Sequence, residues 1–444
     1  MIEYIPKTDH EEEEMLGVIG VAQFDDLLEI PAGLRLNRPL HLPKPLSQME
    51  LKRELTALSE KNILPSLSFL GGGAYDHFIP STVGHVLSRS EFYTAYTPYQ
   101  AEMSQGLLQT IYEYQTMLCR LTGMEVANAS LYDGASALAE AALMAIRITG
   151  RQQILISDTV HPHHRQVVST YLSGFRSEAI EITSEGGQTN LSVLNQSVGD
   201  ETAAVLIQYP NFFGQLEEME EIERIAHSRG ALLIMSVDPI SLGILKTPGE
   251  YGADIAVGEG QGMGNGLNYG GPYVGLFATR RDHIRQMPGR LVGRTTDLSG
   301  RPAFCLTLQT REQHIRRERA TSNICTNQAL NALAAAVYLA TVGKEGLKEV
   351  ATLSLSRAHE AHREILKLPG YSAPFNVPFF KEFVIRTPAP PSHILKEIRK
   401  SGLCGGIDLS PYYPALQNAL LICCTEKHTT QDVSRLVDAL GKFS

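Results

Sequence analysis

The sequence predicts an α/β protein: a large domain built on a mostly parallel sheet with helices on both faces, then a smaller C-terminal α/β domain. Three observations carry this. Short apolar runs between residues 153 and 278 are near-continuous rather than alternating, as in strands covered on both faces. Helical segments such as 217–228 lie between several of them, the alternation from which parallel sheets are built. From about residue 344 the texture changes to a long helix followed by shorter strands and proline-marked turns. At 444 residues the chain suits two or three domains rather than one core.

Residues 1–65 read as a helical arm. Thr8 with Glu11, and Ser47 with Glu50, have capping-box spacing, in which two side chains satisfy each other's backbone N–H groups at a helix start. Prolines 31, 39, 43 and 45 separate the two helices. Such an arm buries little apolar surface by itself and is expected to pack on another domain or subunit.

Residues 66–330 read as the large domain. Leu107, Ile111, Tyr114, Leu118 and Leu121 recur at helical spacing, and Gly123 ends that helix. Strands are predicted at 153–156, 203–207, 231–235, 253–257 and 273–278. Residues 331–444 supply linking helices and the small domain. A helix is predicted over Gly346–Leu368, strands at 382–386 and 420–423, and helices at 392–400 and 430–440.

Composition narrows the function. A hydrophobic share of 43% with 20% charged residues is ordinary for a soluble globular protein, and a net charge of −9 argues against a nucleic-acid binder. The acidic run at Asp9 and Glu11–Glu14 reads as a solvated helix start. The N-terminus has neither the basic region nor the apolar run of a signal peptide. The apolar stretch 332–342 is too short to span a bilayer. The cysteines show no CxxC spacing and read as reduced residues of a cytoplasmic protein.

Six segments could carry chemistry. Tyr132–Glu140 opens an Ala/Leu-rich helix whose small residues would let an anion reach free backbone N–H groups, with the Ser136 hydroxyl as a further donor. A tightly packed helix start capped by Asp133 explains the same residues. Ser236-Val237-Asp238-Pro239 ends an apolar strand, where ligands bind in parallel sheets. Asp238 could hold a protonated ring nitrogen there, or only cap a turn. His161-Pro162-His163-His164 lacks a carboxylate or cysteine at ligand spacing, so no metal is expected. An imidazole on a flat cofactor, or at a subunit interface, fits better. The glycine-rich run 258–271 lacks the ending of a phosphate loop, and its glycines imply positive φ or close backbone approach. Tyr93, Tyr96 and Tyr99 recur three apart and either line a pocket or pack an interface. Arg311, Arg316, Arg317 and Arg319 precede a small polar run. They read as an anion site or as a charged helix face with its N-cap at Ser322 or Thr326.

Long strings within these segments resemble one family over nearly the whole chain. Ser68–His77, Ser90–Gln100, Ala127–Ser130 with Tyr132–Ala135, and Thr310–Arg317 with Ala320–Thr326 are similar to the glycine cleavage system P-protein, in particular to the α chain of its two-chain bacterial form. The resemblance implies the pyridoxal-phosphate (PLP)-dependent transferase fold type I. It implies a glycine dehydrogenase (aminomethyl-transferring, decarboxylating), a complex that decarboxylates glycine through PLP and passes the aminomethyl group to the lipoyl group of H-protein. It also implies partners: subunit 2, the β chain, carrying the PLP lysine; lipoylated H-protein; and functional association with T- and L-proteins. A cytoplasmic heterotetramer is expected.

The residues agree with a missing lysine. In this fold a PLP lysine should follow the Asp238-bearing strand by one further strand and its loop. That strand is 253–257, and Gly258-Glu259-Gly260-Gln261-Gly262 comes next. Lys246, the only lysine between Asn62 and Gly343, comes too early. The chain is thus expected to bind no PLP covalently and to hold no complete catalytic set. Tyr93, Tyr96, Tyr99, Ser322, Asn323 and Thr326 are expected to complete the partner's site. Ser136, His163 and Asp238 are expected remnants of a cofactor pocket. The competing readings are a self-sufficient PLP lyase or aminotransferase using Lys246, and a non-catalytic scaffold.

Overall fold

The structure, a computed structural model, describes residues 7–36, 38–175 and 177–444. The chain divides into two compact units, Met1–Ile63 and Leu64–Ser444. In the first, α1 (Asp9–Ile19) and α2 (Gln48–Ser59) both start on capping boxes, Thr8 with Glu11 and Ser47 with Glu50. Gly20, at φ 87°, ends α1 in the left-handed conformation that glycine adopts without steric cost.

The second unit is built on a seven-stranded sheet. Its strands, in chain order, are β1 (Val126–Ala127), β2 (Gln153–Ser157), β3 (Glu178–Ile182), β4 (Thr202–Tyr209), β5 (Leu232–Val237), β6 (Ile255–Glu259) and β7 (Gly275–Thr279). They lie side by side as β1-β7-β6-β5-β4-β2-β3. Pairing is parallel from β3 to β6, and β7 runs antiparallel to both of its neighbours. The apolar runs are continuous because alternate residues feed opposite faces. Ile154, Ile156, Leu206 and Ile234 pack under α4 (Gly134–Thr149), itself covered by Val168 and Leu172 of α5 (Pro162–Leu172). Leu155, Val205, Ile207, Leu233 and Met235 face α6 (Met219–His227). On the same side, Ala256, Leu276 and Ala278 meet α3 (Gln105–Thr122) and α7 (Ala329–Ile365). Phe277, fully buried on the α4 side, is a sensitive point: Phe277→Ala should cost about 3–5 kcal/mol.

After a hairpin of β8 (Leu291–Thr296) and β9 (Pro302–Thr307), α7 leads to a small antiparallel sheet of β10 (Glu382–Arg386), β11 (Ile407–Asp408) and β12 (Ala419–Cys423). Phe383, Ile385, Leu420 and Ile422 pack there against α8 (Pro391–Arg399), α9 (Thr430–Gly441) and the end of α7.

The structure departs from the sequence expectations in three places. The helix expected over 346–368 starts at Ala329 and bends at Gly343, whose φ of 61° and ψ of −171° are not helical. Its N-cap is Gln328, not Ser322 or Thr326. The β8–β9 hairpin and the antiparallel direction of β7 were not expected. Neither leaves a mark in residue composition.

Candidate functional site

The chain leaves β2 towards the edge strand β3, then crosses back to β4 and continues away from that edge. The carboxyl ends of β2, β4, β5 and β6 therefore border the switch point where ligands bind in open α/β sheets. Asp238 follows β5 and Glu259 ends β6. Gly73, Tyr75, His161, His164, Asp238 and Glu259 border a cavity of about 30 Å³ at these strand ends. It has room for a water or two and is far below the roughly 300 Å³ at which small-molecule sites begin.

Asp238, which borders this cavity, also belongs to a buried cluster of charged side chains. Lys381, one residue before β10 and 2% exposed, puts Nζ 2.7 Å from Asp238 Oδ2 and 2.9 Å from His77 Nε2. The ammonium also lies 3.4 Å from the centroid of the Tyr75 ring, a cation–π distance. An ammonium only donates, so His77 Nε2 accepts and its Nδ1–H donates to Glu426 Oε2 at 2.7 Å. The imidazole is held neutral: burial first, then the Lys381 charge, lowers its pKa. Glu382, next to Lys381, accepts from Gly72 N and from the Tyr75 hydroxyl, each at 2.7 Å. Burial pushes its carboxyl up to about 7.

A carboxylate already occupies the start of α4. Glu259 Oε2 accepts from Gly134 N at 2.9 Å, while Oε1 accepts from Gln261 N at 3.0 Å and Val274 N at 3.2 Å. Burial raises Glu259 to about 7, against the pull of those three donors. Asp133 caps the same helix end through Ser136 N at 2.7 Å.

The expected pocket residues fare differently. Asp238 stands at the strand ends, with Lys381 as its partner. Ser136 is buried and donates to the Asp133 carbonyl at 3.1 Å, so its hydroxyl belongs to the cap. His163 is exposed and packs edge-on against Tyr412, so it is not a pocket residue. His161 and His164 line the pocket instead, stacked at 4.6 Å, because Pro162 starts α5 and turns His163 outward. Burial pulls them down to about 4 and about 3. Lys246 is well exposed and pairs with Glu220 at 2.8 Å, away from Asp238. Arg311 is buried on backbone carbonyls, those of Met287 and Gly289, rather than at an anion site.

Sequence reasoning missed Lys381, Glu382 and His77 as a connected set, and Glu259 as the partner of Gly134 N. One signal was available: a charged pair, Lys381-Glu382, directly before the apolar run Phe383-Val384-Ile385.

The predicted interface residues lie elsewhere. Tyr93, Tyr96 and Tyr99 are 70%, 73% and 65% exposed, too open for core phenols. Ser322 and Asn323 border a roomier cavity of about 590 Å³ with Tyr132, Glu140, Arg147 and Tyr171. Arg290 links the two segments: its guanidinium reaches the Tyr99 ring, the Cys325 carbonyl at 2.7 Å and the Thr326 hydroxyl at 3.4 Å. Among the described residues no helix is long and apolar enough to cross a membrane.

Fold and strand-end geometry together define the class, the PLP-dependent transferase fold type I. It is shared with a sphingosine-1-phosphate lyase of Burkholderia pseudomallei, 15% identical with TM-score 0.65 over 93% of this chain and 94% of that one, a likeness of fold alone. The family is set by closer matches. The sequence model of the glycine cleavage system P-protein matches residues 2–440, and this chain belongs to that family. The "probable glycine dehydrogenase (decarboxylating) subunit 1" of Carboxydothermus hydrogenoformans is 54% identical over 99% of both chains. That of Moorella thermoacetica is 52% identical over 98% of both. A solved glycine decarboxylase (P-protein) of the glycine cleavage system, in inhibitor-bound form, is 44% identical with TM-score 0.92, covering 100% of both chains.

The fold implies PLP, but the strand-end residues of this chain do not fit it. Asp238 is paired, the start of α4 faces the Glu259 and Asp133 carboxylates, and the cavity has no room for a pyridine ring.

Proposed function

We propose that this chain is subunit 1 of a two-chain glycine dehydrogenase (decarboxylating) and completes an active site whose PLP is held by subunit 2. The complex decarboxylates glycine and transfers the aminomethyl group to the lipoyl group of H-protein, alongside the T- and L-proteins, as a cytoplasmic heterotetramer. One observation carries the reading. At this chain's strand ends Asp238 is paired with Lys381 beside a cavity of only about 30 Å³, while an open face carries Tyr93, Tyr96 and Tyr99 joined through Arg290 to the 322–326 segment. The subunit 1 naming of its relatives supports a second chain.

In this role the chain binds and orients and does not act on glycine alone. When bound in subunit 2, PLP supplies the electron sink for loss of CO2. The exposed hydroxyls of Tyr93, Tyr96 and Tyr99 and the polar groups of Ser322, Asn323 and Thr326 donate and accept at the edge of that site and exclude water from it. A self-sufficient enzyme using Lys246 is disfavoured by the Lys246–Glu220 pair on the surface.

The test is reconstitution. Co-expressed chains should purify together and catalyse glycine–bicarbonate exchange, and neither chain alone should do so. Exchange by purified subunit 2 at the full rate would leave this chain a scaffold.

A further inference from the structure

The chain already places its own side chains on the two groups that a phosphate-bearing pyridine would need to contact, Asp238 and the start of α4. We infer that Lys381 and Glu259 are built-in occupants of that site. Lys381 stands on Asp238 where a ring nitrogen would, Glu259 stands at the start of α4 where a phosphate would, and the Lys381–Asp238 pair holds the C-terminal sheet closed on the large one.

Lysine is almost never fully buried unless its charge is matched. Here the ammonium is matched on three sides: Asp238 at 2.7 Å, His77 Nε2 at 2.9 Å and the Tyr75 ring at 3.4 Å. No donor is left over, and Asp238 is not free for a ring nitrogen. The second Asp238 oxygen accepts from Ile240 N at 3.1 Å.

The other end of the pocket is closed by the same logic. A helix start attracts anions through its unpaired N–H groups. In this chain Gly134 N gives its hydrogen to Glu259 and Ser136 N gives its own to Asp133. A phosphate arriving there would meet two carboxyl groups and no free donor among these N–H groups. Space is lacking as well. A methyl group on Gly134 would lie 3.0 Å from both Cβ and the backbone N of Glu259, so helix and strand are in contact at this point.

The closure joins two parts of the fold. Lys381 immediately precedes β10 of the small sheet, and Asp238 follows β5 of the large one. Glu382 draws in a third segment through Gly72 N and the Tyr75 hydroxyl, and Glu426, after β12, holds His77 on the other side. Both side chains of the Lys381-Glu382 dipeptide are thus used to pin 72–77 between the two sheets.

The test reads binding, not turnover, so its failure leaves the reading of the reaction standing. The full-length wild-type chain is dialysed to equilibrium against PLP and then treated with borohydride. Expected are no saturable binding at millimolar PLP and no pyridoxyl group fixed to Lys381. Lys381→Met combined with Glu259→Ala should bind PLP at least about tenfold more tightly than wild type, the change expected when charges blocking an anion and a cation are removed. Lys381→Arg, which keeps a cation on Asp238, should stay closed. Saturable wild-type binding, or a pyridoxyl group on Lys381, overturns the inference. Should the double variant not fold, Glu259→Ala alone is probed with inorganic phosphate by phosphorus NMR. A gain in phosphate binding upholds the Glu259 assignment, and a folded chain with no gain overturns it.

Discussion

The Arg290 guanidinium lies 5.9 Å from the centroid of the Tyr99 ring, within cation–π reach. Its other atoms donate to the Cys325 carbonyl at 2.7 Å and to Asn327 Oδ1 at 3.2 Å. One arginine, 6% exposed, therefore couples the tyrosine segment to the 322–326 segment, far apart in sequence. Glu312 lies 3.9 Å away as a second charge.

Arg290→Ala should leave the Cys325 carbonyl and the Asn327 amide oxygen without these donors. The expected loss is about 1–3 kcal/mol of stability, with weaker binding to subunit 2. Arg290→Lys keeps the charge but not the planar fork and should recover only part of the loss. Thermal unfolding and a binding titration with the partner check both. Two wild-type results for Arg290→Ala would show that the segments are not coupled through this side chain.

The buried Lys381–Asp238 pair makes a separate stability prediction. Removing either partner strands a desolvated charge, so Lys381→Met and Asp238→Asn should each cost about 3–5 kcal/mol. In the double variant neither charge remains, and its cost should be smaller than the sum by 1 kcal/mol or more, on the order of couplings measured for residues in contact. Urea unfolding of the four chains gives the cycle. Additive costs would mean that the two side chains do not interact across the sheets.

Glu259 gives stability a pH dependence with a definite sign. Its carboxyl titrates near 4.5 when unfolded and is raised to about 7 by burial in the fold. Between those values the folded chain holds the proton and the unfolded chain does not, so this group's contribution falls as pH rises through that window. The full difference amounts to roughly 3–4 kcal/mol above pH 7. Glu259→Gln cannot ionise. The stability of the variant relative to wild type should therefore climb from pH 4.5 to about 7 and level off above it, whatever constant offset the altered hydrogen bonds add. Denaturation midpoints across that range measure the slope, and a flat difference would mean that Glu259 titrates normally.

The sheet was legible because its strands are buried on both faces, which makes runs such as 154–156 and 203–207 apolar at every position. The end of α3 was legible from Gly123, whose φ of 69° a side chain would resist. Asp238 could be placed at a strand end from local pattern alone. Its partner could not, since Lys381 reaches it only through the docking of two sheets, and tertiary contact has no periodicity. A Schiff-base position is defined by strand order, and a lysine that reaches Asp238 from the small sheet lies outside that rule. The residue types at 161–164 do not by themselves say which histidine faces the pocket. Once Pro162 fixes the first turn of α5, His161 and His164 fall on the inner side.

The exposed tyrosines carry the functional prediction most open to a clean result. Tyr96 is 73% exposed, so losing its hydroxyl should change the stability of this chain by no more than about 0.5 kcal/mol. Asn323 is also exposed, and its side chain supports nothing in the core. If both groups meet the subunit 2 site, Tyr96→Phe and Asn323→Ala should leave folding and co-purification intact while lowering glycine–bicarbonate exchange by about tenfold or more, since one hydrogen bond made in a desolvated active site is worth at least that much. A fall in affinity for subunit 2 at unchanged turnover would instead place these residues in the interface but outside the reaction. Wild-type exchange by both variants would falsify their assignment to the shared site, and the 72–77 and 381–382 segments would then be the next part of this chain to probe for contact with the partner.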